Sequence, residues 1–158
     1  MKNRENFLTL FKIGYFKKAP GTWGSFFGLI MGIPILYFSS FSLFILAVFV
    51  GLIAIREIEI YEKEVNEHDS SHIVIDEVVG IWTALSIAQF NLSSIIFSFI
   101  FFRIYDIYKP SIIGKIDKEV EGGLGVVGDD FIAGIFAGIS SLLLIVLFDF
   151  LGFDIRFK

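Results

Sequence analysis

Two adjacent acid pairs, Asp76-Glu77 and Asp129-Asp130, and two further aspartates, Asp106 and Asp117, punctuate a 158-residue chain whose hydrophobic content is 55%. Arg103 and Lys109 share the same stretch of sequence as three of them. Carboxylates are the natural ligands of a hard cation, and Mg²⁺ needs only one or two when it keeps waters and takes a substrate phosphate oxygen. Guanidinium and ammonium groups hold an anion such as phosphate. A divalent ion on a phosphoryl oxygen neutralises charge in the transition state and makes a bound water a better nucleophile. The combination predicts Mg²⁺-dependent phosphate-ester hydrolysis, with water as the attacking group. The candidate catalytic residues are Asp76, Glu77, Asp106, Asp129 and Asp130; Asp76, Glu77, Asp117, Asp129 and Asp130 are the candidate metal ligands.

These residues need elements to position them. Arg103 to Asp130 carries ten of the thirty charged side chains and five of the fifteen glycines, held between two long apolar runs. Arg103 and Asp106 are spaced i, i+3 and share a face if the preceding helix runs this far. Pro110 then turns the chain. Residues 121–130 read as a glycine-rich loop leading into the paired aspartates at a helix start, where a helix dipole would favour negative charge. Gly122 and Gly123 would let backbone approach a substrate. Upstream, residues 19–25 (APGTWGS) form a turn in which Thr22 or Ser25 would cap the next helix. Free N–H groups there would receive an anion, making Thr22 a further substrate-binding candidate.

The composition fixes the setting. Twenty phenylalanines and a mean hydropathy of +0.76 exceed what a soluble domain carries and read as an all-α integral membrane protein of one domain, 1–158. A net charge of −4 excludes a nucleic-acid-binding face. Absence of cysteine excludes disulfides, thiolate metal sites and cysteine nucleophiles. Residues 1–24 hold five basic side chains against one acidic, which places this end in the cytoplasm. Lys12 breaks their apolar part, so no cleaved signal peptide is expected.

Three uncharged runs follow: 26–55, 78–102 and 131–148. Pro34 and Ser39–Ser42 interrupt the first, and Gln89–Asn91 the second, so each is either one kinked crossing or a hairpin of short arms. The third, with two Ala-Gly pairs, suits a single close-packed span. Single crossings would put the two acid pairs on opposite sides of the membrane; hairpins bring every polar segment to one cytoplasmic site. The hairpin reading is the one that yields chemistry. Residues 56–71 read as an amphipathic helix with a solvated acidic face. His68 and His72 are spaced i, i+4, but the loop-like Asp-Ser-Ser between them and the missing glutamate argue against a zinc site.

Five segments in order, 19–25 (APGTWGS), 76–80 (DEVVG), 103–110 (RIYDIYKP), Asp117 and 122–134 (GGLGVVGDDFIAG), resemble the phosphatidylglycerophosphatase A family of bacterial membrane enzymes. Lys17 and Ile112 stand where that family often has proline, and Val127 where methionine is common. The resemblance implies removal of the phosphate monoester from phosphatidylglycerophosphate, Mg²⁺ dependence, an all-helical fold and a site facing the cytoplasm of the bacterial inner membrane. It does not assign roles among the carboxylates. Another phosphate monoester is the alternative substrate. A small transport protein would put ionisable residues inside its spans, and these runs have none. The aspartate array of CDP-alcohol phosphotransferases is absent.

Overall fold

The computed structural model describes residues 2–65 and 70–153. Among these residues it contains seven α-helices and no strand: α1 (Lys2–Leu8), α2 (Pro20–Phe38), α3 (Ser40–Val65), α4 (Ile75–Ala88), α5 (Leu92–Tyr108), α6 (Ile112–Glu119) and α7 (Gly123–Phe150). His68 lies outside the described residues. His72 sits against Tyr15, ring centroids 4.5 Å apart, with Nδ1 3.3 Å from the Gly14 carbonyl oxygen.

Both interrupted runs are hairpins. The first bends at Ser39, in extended conformation between α2 and α3; the second bends at Gln89–Asn91, where the Asn91 side chain accepts the Ser94 N–H at 2.8 Å and caps α5. The arms are longer than the uncharged runs. Backbone hydrogen bonding continues through polar residues, so α2 begins at Pro20 and α3 runs on through the charged 56–65 segment. The expected solvated face of that segment is partly used: Glu57 and Glu64 hold Arg4 at 2.7 and 2.6 Å, tying α1 to α3.

Two further boundaries differ from expectation. Neither Thr22 nor Ser25 caps α2, which starts after Ala19 with proline in its first turn, because the proline ring already fixes a helical φ. The glycine-rich stretch is not a loop. It is the first turns of α7, so Asp129 and Asp130 lie past the first turn rather than at the helix start.

Helix α4 is the hub. Ten of its fourteen residues are buried, and α2, α3, α5 and α7 all pack on it. Small residues set the spacing: a Cβ on Gly134 of α7 would stand 2.3 Å from the Gly80 carbonyl oxygen, so these backbones touch only because both lack side chains. On the α2 side, Trp82 Nε1 donates to the Gly28 carbonyl at 2.7 Å. Helices α2, α3 and α7 are long and apolar enough to cross a membrane, and their outer faces expose Phe38, Phe41, Leu52, Leu143 and Phe150. Faces of this kind suit a lipid environment.

The hairpins answer the topological question. Both bends, with Leu142, Ile145 and Val146 of α7, line a cavity at one end of the bundle. The starts of α2, α4 and α7 and the end of α5 meet at the other.

Candidate active site

At that second end a cavity of about 310 Å³ is lined by Ala19–Gly21, Asp76, Glu77, Arg103, Asp106, Lys109, Asp117, Asp129 and Asp130, among others. Every charged residue picked from the sequence is therefore in one place, although the chain separates them by up to fifty-four positions. Thr22, Gly122 and Gly123 are not in the lining. Gly122 adopts φ +73 and packs beside Glu59, and Gly123 lies under the Ile55 carbonyl, so these two glycines shape the start of α7 instead.

The acids separate into two groups. Asp76, Glu77 and Asp130 each present a carboxylate oxygen within 4.8 Å of the others. Asp76 and Glu77 sit in the first turn of α4, and Asp130 reaches them from α7. Asp117 and Asp129, expected as further metal ligands, hold the Lys109 ammonium; the Asp129 contact is 2.6 Å. Adjacent helical residues point about 100° apart, which is why Asp129 and Asp130 find different partners. Lys109 itself sits in left-handed conformation just after α5, where the helix ends before Pro110.

Arg103 pairs with Asp106 on its own helix and donates to Ser25 Oγ at 3.1 Å. Its Nε is buried without a partner. Ser25 in turn donates to the Gly21 carbonyl at 2.8 Å. Ser25 and Gly21 are the contributors that residue-type reasoning passed over. A Cβ on Gly21 would meet Glu77 Oε1 at 2.1 Å, so any side chain at this position of the α2 start would push the Glu77 carboxylate aside. The APGTWGS segment carries the signal: it reads as a turn, a cap and an anion-receiving helix start, with Thr22 rather than Gly21 or Ser25 as its candidate substrate-binding residue.

The electrostatics are unfavourable without a cation. Six carboxylates and two basic side chains line the cavity. Burial pushes the Asp76 carboxyl up to about 6, with a lowering hydrogen bond to Glu77 outweighed by burial and by repulsion from Asp129 and Asp106. Glu77 is raised well above the ordinary glutamate value by burial and then by the Asp76 charge. Burial opposes the charge on Lys109, but hydrogen bonds to Asp117 and Asp129 outweigh it and hold its pKa above the ordinary lysine value. Asp76 Oδ1 and Glu77 Oε2 are buried with no hydrogen-bond partner. Two orphaned carboxylate oxygens beside a third acid, all hard oxygen donors, fit a divalent cation such as Mg²⁺.

These features define a multi-span helical membrane protein with an acidic, partly cation-paired cavity at one end. The chain belongs to the phosphatidylglycerophosphatase A family, whose sequence model matches residues 6–145. It is 35% identical over 131 residues to Phosphatidylglycerophosphatase A of Haemophilus influenzae, covering 80% of this chain and 79% of that protein. It is 34% identical over 124 residues to the Escherichia coli protein of the same name, covering 75% and 70%. A Bacteroides thetaiotaomicron protein provisionally named a phosphatidylinositol-3-phosphatase is 33% identical over 140 residues, covering 82% and 85%. No solved structure matches the chain.

Proposed function

We propose that this phosphatase hydrolyses the phosphate monoester of phosphatidylglycerophosphate, giving phosphatidylglycerol and phosphate, in a Mg²⁺-dependent reaction at the cytoplasmic face of the membrane. The observation that carries the reading is the meeting of Asp76, Glu77 and Asp130, oxygens within 4.8 Å, in the same cavity as Arg103 and Lys109. Membership of the family supports the substrate assignment. The basic N-terminal segment reaches the site end of the bundle, where the Val74 N–H, two residues before Asp76, donates to the Leu8 carbonyl at 2.9 Å, which supports the cytoplasmic orientation.

Asp76, Glu77 and Asp130 would hold Mg²⁺, which when bound supplies charge neutralisation at the phosphoryl group and acidifies a water. Arg103, whose Nε is buried without a partner, and Lys109 hold the phosphate oxygens. The start of α2, where the Gly21 and Thr22 amides precede the first helical hydrogen bond made by Trp23, adds N–H donors. Asp106 fixes the guanidinium in position. Asp117 and Asp129 fix the ammonium and supplement the acidic ring. A carboxylate of this ring takes the proton of the attacking water as the new phosphorus–oxygen bond forms. The bond from phosphorus to the glycerol oxygen breaks, and that oxygen leaves as the hydroxyl of phosphatidylglycerol after gaining a proton.

Phosphate release from phosphatidylglycerophosphate by the detergent-purified protein, with Mg²⁺ and then with a chelator, tests this. Release that vanishes on chelation is expected. Phosphatidylinositol-3-phosphate belongs in the same assay, because the Bacteroides relative carries that name; faster release from it would move the substrate while keeping the site.

A further inference from the structure

The substrate's headgroup and its tails need different surroundings, and the cavity wall is continuous with the lipid-facing surface at one seam. Ile107 lines the cavity and is also 64% exposed. It lies four residues beyond Arg103, whose guanidinium crosses from α5 to Ser25 of α2. Helical spacing puts Ile100 and Ile107 on the Arg103 face of α5 and Leu29 one turn from Ser25 on α2, so apolar side chains flank this crossing. Ile100 and Ile104 are exposed as well.

Along the apolar length of α5 the neighbouring wall of the cavity is α7; the sparse α5–α6 contact lies beyond it, at the charged rim around Lys109 and Asp117. Helix α5 packs extensively on α7, α6 lies along α7, and α3 contributes nothing to the lining among the described residues. Helices α2 and α5 both pack on α4 but barely touch one another. An aromatic cluster marks the depth: exposed Phe16, Trp23 and Phe26 are stacked edge to face, with centroids 5.6 and 6.1 Å apart, next to the cavity-lining residues Ala19–Gly21. Trp and its aromatic neighbours favour the level of lipid headgroups, which puts the membrane–water boundary at the cavity mouth.

We propose that the α2–α5 seam is a lateral portal: the lipid phosphate monoester enters from the bilayer with its phosphate passing Arg103 and Ser25, and its acyl chain then lies along Leu29, Ile100 and Ile104. This rests on the lipid-phosphatase reading above. Arg103 serves as the sill of the portal, the first cation the phosphate meets, and its contact with Ser25 is a polar link that the lipid displaces.

The test uses the full chain in phosphatidylcholine vesicles with a phosphatidylglycerophosphate analogue bearing a photoreactive group on one acyl chain. Cross-links should fall on the α2 and α5 residues of the seam and drop several-fold when unlabelled phosphatidylglycerophosphate is added, but not with more phosphatidylcholine. An Ile100→Trp variant should raise KM several-fold for a long-chain substrate and much less for a short-chain soluble analogue; equal KM changes for both, in a variant that still turns over, would overturn the portal. Labelling spread over the outer faces of α3 and α7, or insensitive to substrate, in an enzyme that still turns over would overturn the portal alone. Failure of the wild-type protein to release phosphate from either substrate would remove the reading beneath it.

Discussion

Lys109 and Asp129 form a 2.6 Å ion pair in which the carboxylate is almost fully buried and the ammonium is partly exposed. Asp117 shares the same ammonium, so one lysine at the end of α5 fastens both α6 and α7 to the site. Replacing it with methionine leaves Asp129 buried without its cation, and a buried group left unsatisfied costs about 1–3 kcal/mol, a charged one more. Lys109→Met should lower the melting temperature in detergent and reduce turnover. Asp117→Asn, at the more exposed end of the pair, should cost less by both measures.

Asp76, Glu77 and Asp130 repel one another when no cation is present, and their burial makes that repulsion expensive. Asp130→Asn or Glu77→Gln should therefore abolish phosphate release while raising the melting temperature in chelator above that of the wild-type protein. The same variants should lose the stabilisation that Mg²⁺ gives the wild type. A variant that melts lower than wild type in chelator would contradict the assignment of these three acids as a cation site.

The raised Asp76 carboxyl has a definite sign. Its folded-state pKa of about 6 lies above the ordinary aspartate value, so the folded metal-free protein binds a proton that the unfolded chain releases. The stabilisation from this group is complete below about pH 4 and is lost as pH rises through about 6. In chelator, the wild-type melting temperature relative to Asp76→Asn should fall between pH 5 and pH 7. Apparent Mg²⁺ affinity should run the other way, weakening as pH drops through about 6, because metal and proton compete for the same oxygens. Melting curves and Mg²⁺ titrations across this range check both trends.

Glycines that look alike in sequence should respond differently. Gly134→Ala puts a methyl 2.3 Å from the Gly80 carbonyl oxygen, a backbone atom that cannot step aside, and overpacking of this kind costs about 1–3 kcal/mol. Gly51→Ala meets the Val79 and Val127 side chains at 3.4 and 3.6 Å, ordinary contact distances, and should be tolerated. Gly21→Ala meets Glu77 Oε1 at 2.1 Å; the side chain can move, so folding should survive while turnover falls about tenfold or more, since small misplacements of catalytic groups carry that scale of cost. Melting temperature and phosphate release, measured side by side, separate the three cases.

Residue types and their order were enough to read an all-helical membrane protein and to single out Asp76-Glu77, Arg103–Lys109 and Asp129-Asp130, which the structure gathers around one cavity, because long uncharged runs need lipid and charges beside them need a reason. The interruptions at Ser39 and Gln89–Asn91 were legible as breaks, but local sequence could not say whether a break kinks a span or reverses it. Packing on α4 decided that: both hairpins return because α2, α3, α5 and α7 each bury a face on that one short helix. Helix boundaries were read too narrowly, since charge ends an uncharged run without ending backbone hydrogen bonding. The partition of the carboxylates was also invisible in one dimension. Asp129 and Asp130 are neighbours in the chain, yet on α7 they face different ways, one to Lys109 and the other to Asp76 and Glu77. Sequence determined which groups the site would contain; the turn of a helix between two adjacent aspartates, and the direction in which two hairpins fold back, decided which of them meet.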